Sequence, residues 1–189
     1  MPGQDVARSE GKPGEHMGSS QTEVSSGLAL PSSDYPRTIV VVHPRENRRK
    51  CTLTPLRARS DLWFVRYRPG MQLPVDLSLY IRLSVDGPEL SAADAEKGIL
   101  LLDATWRYAQ RMERDFAGVP PRSLRGYRTA YPRESRLFQD PPGGLASVEA
   151  LYLAYRILGR PTQGLLASYR WAREFLAANG ITDEEALEG

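Results

Sequence analysis

Cysteine is almost missing from this sequence: Cys51 stands alone among 189 residues. One thiol excludes a disulfide framework and a thiolate zinc site. Long apolar runs are missing too; none approaches the roughly 20 residues that cross a bilayer. The first residues, MPGQDVARSEGKPGEH, contain no apolar stretch of the kind a secretory signal needs. A cytoplasmic protein, free of metal and with no membrane partner, is the expectation. Neither G-x-G-x-x-G nor G-x-x-x-x-G-K-[ST] occurs, so nucleotide binding through those phosphate loops has no support. Ser147, His43 and Asp103 would be the members of a Ser–His–Asp hydrolase, but no G-x-S-x-G elbow surrounds the serine.

What is present is a basic domain between acidic ends. With 41% hydrophobic and 25% charged residues, the composition is that of a globular protein, and the length suits one domain. Residues 1–36 hold two bases and five acids, and residues 181–189 hold four acids and no base. The remaining 37–180 therefore carry 23 bases against 14 acids, a net charge of +9. A compact domain that basic tends to meet phosphate. Of the 25 bases 22 are arginine, whose planar fork grips phosphate and stacks on bases better than lysine does.

Residues 1–36 are rich in Gly, Ser, Pro, Gln and Glu with no apolar period, and are expected to form a disordered tail. Order is expected from RTIVVV (37–42), a β-branched run that reads as a strand entering the polar loop HPREN. A short helix is expected over 52–59. Strands follow at DLWFVRY (61–67), closed by Pro69-Gly70, and at LSLYIRLSV (77–85), closed by DGPE. Ser91 caps a short helix, AADAEK, before the strand 99–103, whose Ile/Leu run reads as buried on both faces. A helix over 105–116 places Trp106, Ala109, Met112 and Phe116 on one stripe, read as core, and Arg107, Arg111 and Arg114 on another. The arginine- and proline-rich segment 118–144 reads as a long loop. Helices over 146–158 and 162–178 close the domain, and 181–189 is an acidic tail. Strands alternating with helices predict an α/β fold with a largely parallel sheet.

Three polar clusters could carry chemistry. His43, Arg45 and Glu46 lie in a loop at the carboxyl end of the first strand. Asp103 ends the buried strand just before a helix, where open α/β sheets place ligands; its alternative role is to cap that helix. Gly143 and Gly144 let backbone approach closely ahead of Leu145, Ala146 and Ser147, which lead into a helix N-terminus.

In order along the chain these clusters read HPRE with a basic pair and Thr52, then D-x-T-W as DATW, then G-L-x-S-x-E-A as GLASVEA. This order resembles the DTW-domain family of S-adenosylmethionine-dependent aminocarboxypropyltransferases acting on uridine in tRNA. A related enzyme modifies a pseudouridine derivative in small-subunit rRNA. The resemblance spans roughly residues 37–160. It implies a SPOUT-like α/β fold with a carboxy-terminal trefoil knot, S-adenosylmethionine as donor substrate, and RNA, foremost tRNA, as partner. By motif, Asp103 would be catalytic, and Thr105, Trp106, Leu145, Ala146, Ser147 and Glu149 would line the cofactor. His43, Arg45 and Glu46 would border the RNA, with Arg128, Arg133 and Arg136 of the basic segment. No metal is implied. Many family members carry a cysteine-rich segment before the first strand, and this chain does not. A methyltransferase using the same cofactor, or an RNA-binding module without catalysis, are the alternatives.

Overall fold

The computed structural model describes residues 34–46, 51–132 and 141–188. Five strands form one sheet: β1 (Thr38–Val42), β2 (Leu62–Arg66), β3 (Tyr80–Glu89), β4 (Gly98–Asp103) and β5 (Pro121–Ser123). They lie in the order β2-β1-β4-β3-β5, and every neighbouring pair is parallel. Three helices accompany them: α1 (Trp106–Asp115), α2 (Ser147–Ile157) and α3 (Ala172–Ala178). Among the described residues no helix is long and apolar enough to cross a membrane.

Alternation along the two central strands makes two cores. Ile39 and Val41 of β1, with Leu100 and Leu102 of β4, pack against Met112, Phe116 and Val119 on the α1 side. Val40, Ile99 and Leu101 face the other way, toward Leu151, Tyr152 and Tyr155 of α2 and Phe175 and Leu176 of α3. Each such side chain, fully buried, contributes about 1.5–3 kcal/mol. Because both faces are covered, the strands read as unbroken apolar runs. Gly98 pairs with Tyr80 across the β3–β4 ladder, and a Cβ there would lie 2.4 Å from the tyrosine ring. Only glycine lets that ring lie flat on the strand.

The structure departs from the sequence pattern in several places. β3 runs on through DGPE to Glu89, with Gly87 at φ 106° absorbing an irregularity in its ladder with β5. β5 lies in the segment expected to be loop; Arg82 donates to Pro120 and Leu90 to Ser123, so this edge strand is defined by its partner's hydrogen bonds. The last helix begins at Ala172 instead of 162. The amides of Gly164 and Leu166 donate to the carbonyls of Glu185 and Ala186, so the chain turns there without coiling. That places the end of the domain beyond 180. Asp183 accepts hydrogen bonds from Tyr152 and Thr162, and Ala186 is fully buried. At the other end, the guanidinium of Arg160 lies 3.8 Å over the ring of Tyr35, so ordered chain begins before 37. The rest of the expected tail, residues 1–33, lies outside the described residues. The short helix expected over 52–59 is a 3-10 helix, Thr54–Ala58.

Candidate active site

Parallel pairing brings the carboxyl ends of β1 and β4 side by side, with Val42 opposite Asp103. Beyond them the chain leaves the sheet in different directions and a cleft of about 830 Å³ opens, bordered by the first turns of α1 and α2 and by the segment after β5. Its apolar lining comes from Leu83, Leu101, Leu102, Leu124 and Leu145. Cys51, Thr52, Asp103, Thr105 and Ser147 supply a polar wall, and Arg45, Glu46, Arg107, Tyr108 and Arg125 stand on the rim.

Asp103 is the hub of the polar wall. It is 3% exposed, yet its carboxylate lines the cleft. Ser147 Oγ donates to Oδ1 at 2.7 Å and Cys51 Sγ donates to Oδ2 at 2.9 Å. The Asp103 carbonyl accepts the His43 amide at 3.0 Å. The capping alternative is thereby overturned: Thr105 is the N-cap of α1, and no side chain caps that helix. The Val148 amide donates to Thr52 Oγ1 at 3.2 Å, a second tie from the start of α2 to residues 51–52. Burial first, and then the Asp103 charge, push the Cys51 thiol up to about 11. It stays protonated at neutral pH and serves as a donor, not a nucleophile.

The hydrolase arrangement is not formed. Ser147 donates directly to Asp103, while His43 Nδ1 accepts the Arg45 amide and its ring stacks on Tyr108 at 4.1 Å. With no imidazole between serine and carboxylate, a general-base relay has no path.

Of the residues expected to hold the cofactor, Thr105, Trp106, Leu145, Ala146 and Ser147 all line the cleft. Trp106 is half-buried there instead of sharing the core stripe of Ala109, Met112 and Phe116. Glu149 is not among the lining residues; it sits behind the wall, fully buried. Its carboxylate accepts from Thr129 Oγ1 (2.6 Å), the Ala130 amide (2.8 Å), the Ala146 amide (2.8 Å) and Tyr169 OH (2.8 Å). One buried charge thus pins both the segment after β5 and the entry to α2.

Of the residues expected on the RNA side, Arg45 and Glu46 reach the rim, and His43 lies next to them outside the lining. Arg128 is exposed; its amide donates to Asn179 Oδ1 and its carbonyl accepts from Asn179 Nδ2, away from the cleft lining. Arg133 and Arg136 lie outside the described residues. Sequence reasoning missed Cys51, Tyr108, Glu113 and Arg125 as cleft residues. Glu113 accepts from Arg82 Nη1 and from Ser84 Oγ at 3.1 Å, closing the far end of the cleft. Cys51 alone had a visible signal, its place directly after HPRENRRK. Among the described residues no group of three or more His, Cys, Asp or Glu is placed to hold a metal ion.

No protein-family model matches the chain, and no curated protein does. A solved structure with a similar fold is the SAM-dependent rRNA:acp-transferase Tsr3 from Vulcanisaeta distributa. The two share 22% identity with a TM-score of 0.57, over 77% of this chain and 79% of that one.

Proposed function

We propose that the protein transfers the 3-amino-3-carboxypropyl group of S-adenosylmethionine to N3 of uridine in RNA, with tRNA the first substrate to test, releasing methylthioadenosine. The observation that carries this reading is the meeting of the sequence motifs at one carboxylate. Cys51, which follows HPRE, and Ser147 of GLASVEA both donate to Asp103 of DATW. The likeness to an rRNA aminocarboxypropyltransferase supports the fold that this chemistry uses. The same reading includes the SPOUT-like class with its carboxy-terminal knot, and a cytoplasmic location.

The cleft suits the donor. Its volume of about 830 Å³ lies in the usual range for small-molecule sites, and its lining pairs leucines with hydroxyls and the carboxylates of Glu46, Asp103 and Glu113. When bound, S-adenosylmethionine supplies a sulfonium-activated carbon that is open to attack. The protein's own part is positional and electrostatic. Leu83, Leu101, Leu124 and Leu145 exclude water from the apolar portion. Asp103, fixed from both sides, holds a negative charge in the cleft and accepts the N3 proton of uridine or orients the uracil. Trp106 and Tyr131 stand beside the cleft as flat surfaces for an aliphatic chain or a base. Holding two reactants in line supplies much of the rate in any bimolecular transfer.

The deciding assay offers RNA with donor labelled in the aminocarboxypropyl group, beside donor labelled in the methyl group. Transfer of the first label, and its absence from RNA of cells lacking the gene, is the expected result. Transfer of methyl label alone would make the protein a methyltransferase. Binding of RNA without retention of S-adenosylmethionine would make it a binding module. Separate assays of tRNA and small-subunit rRNA identify the substrate.

A further inference from the structure

Beside the cleft mouth a column of aromatic rings presents arginines to solvent. Tyr67, 7% exposed, donates its hydroxyl to Asp115 Oδ2 at 2.6 Å and is thereby locked. His43 stacks on it at 5.8 Å and on Tyr108 at 4.1 Å, with only 10° between the latter planes. Tyr108 OH in turn accepts from Arg45 Nη1 at 3.1 Å, and the Arg45 guanidinium lies 5.9 Å from the ring centre. Arg107 and Arg111, one turn apart on α1, flank the same phenol and act on it electrostatically. All three arginines are exposed.

The acids of α1 leave this cluster positive. Glu113 is bound to Arg82 and Ser84, and Asp115 to Tyr67 and Gly70. Among the described residues neither Arg45 nor Arg111 forms an ion pair. Its burial, and then Arg45 and Arg111, hold the His43 pKa below the usual histidine value, which disfavours a further positive charge there. The column therefore braces the Arg45 guanidinium without competing for its ligand. Exposed arginines lose side-chain entropy when they bind, and a rigid brace removes part of that cost beforehand.

We propose that Arg45 and Arg111, with Tyr108 as the positioning residue, form a phosphate clamp for the RNA backbone next to the reacting nucleotide. This rests on the transferase reading, since it is that reading which makes RNA the polyanion. Arg45 on the rim and Arg111 one turn beyond Arg107 on α1 offer two exposed guanidinium groups beside the cleft mouth, whereas the +9 charge of the domain alone gives no register. The hydroxyl of Tyr108 aims Arg45, and the ring stack aims the hydroxyl.

The test measures binding of oligouridylate to the full chain as a function of salt, with S-adenosylmethionine affinity measured in parallel. Arg45→Gln and Arg111→Gln should each weaken RNA binding about tenfold, and each should lower the salt slope by about 0.7, the value of one phosphate contact on a single strand. Affinity of Arg111→Gln for S-adenosylmethionine should not change, since Arg111 is not among the residues lining the cleft. Tyr108→Phe should raise the KM for RNA far more than it lowers kcat, with the thermal midpoint unchanged, which a merely structural tyrosine would not do. Arg173→Gln on α3 removes the same charge elsewhere and should leave the slope as it was. If Arg111→Gln behaves like Arg173→Gln, the clamp does not exist, whatever reaction the cleft carries. Displacement of oligouridylate by polyglutamate as readily as by polyuridylate would assign the cluster to an acidic polypeptide instead. Loss of RNA affinity in the variants of a protein that transfers no aminocarboxypropyl label would keep the clamp and remove the transferase.

Discussion

Ser147 Oγ donates a 2.7 Å hydrogen bond to Oδ1 of Asp103, joining residues 44 positions apart at the meeting of a strand end and a helix start. With Cys51 on the other oxygen, the carboxylate has one orientation. An aspartate so held is suited to act on whatever enters the cleft.

Asp103→Asn separates the catalytic role from a structural one. The amide keeps the shape but offers one acceptor oxygen to two donors. Turnover should fall by about 10²–10⁴, the range for losing general-base help. Affinity for S-adenosylmethionine, measured by calorimetry, should change much less. Near-normal turnover in this variant would falsify the proposed role.

The same carboxylate sets the chemistry of Cys51. A thiol held at about 11 is protonated at pH 8, so reaction with a disulfide reagent should be slow there and rise steeply only near that value. Asp103→Asn removes the neighbouring charge and should move the rise to lower pH. Bound S-adenosylmethionine should protect the thiol, which lines the same cleft. A fast reaction at pH 8 in the wild type would show that the thiol–carboxylate bond is absent in solution.

Glu149→Gln tests the support behind the wall. Four donors converge on a carboxylate with no exposure, and glutamine would turn an NH2 group toward some of them. A loss of about 1.5–3 kcal/mol is expected, the value of hydrogen bonds to a buried charge. Because the same bonds fix Ala130 and Ala146, donor affinity should drop along with the urea midpoint. A variant that lost stability with full donor affinity would show that the wall stands without this anchor.

Tyr67 links pH to the aromatic column. Burial, followed by the hydrogen bond to Asp115, pushes its hydroxyl up to about 12, above the ordinary tyrosine value of about 10. A group whose pKa is higher in the folded state stabilises below the unfolded value and loses that contribution as pH rises through the folded one. The stability gap between wild type and Tyr67→Phe should be constant up to about pH 10 and should close by about pH 12. A gap that did not change over that window would mean the hydroxyl is not held by Asp115.

The central strands and the location of Asp103 were legible because both depend on local pattern. A short Ile/Leu run that follows a glycine and stops at an acid reads as a buried strand ending there. β5 was not legible: three residues including Pro121 carry no strand signal, and their conformation comes from β3. Residues 162–171 imitate a helix because Leu165 and Tyr169 are both buried, yet the amides of Gly164 and Leu166 serve the segment 185–186 and the others close short local turns. Helical projection put Trp106 with the core residues of α1 since angle alone does not say where a helix outruns the sheet. Glu149 shows the opposite case. Its place in a motif was readable, but four partners scattered from Thr129 to Tyr169 were not.

An all-parallel sheet in the order β2-β1-β4-β3-β5 has a temporal consequence. No hairpin can nucleate it, and each pairing must wait for a crossover to close, so chain connectivity makes assembly slow. The cleft draws on residues from Arg45 to Ala150, and its hub bond needs Ser147. During synthesis β1, β2, β3 and β4 are all made before Ser147, the second donor to Asp103 after Cys51, exists. A nascent chain stopped before Ser147 therefore carries the acid with Cys51 alone to hold it, and the complete cleft wall arrives late.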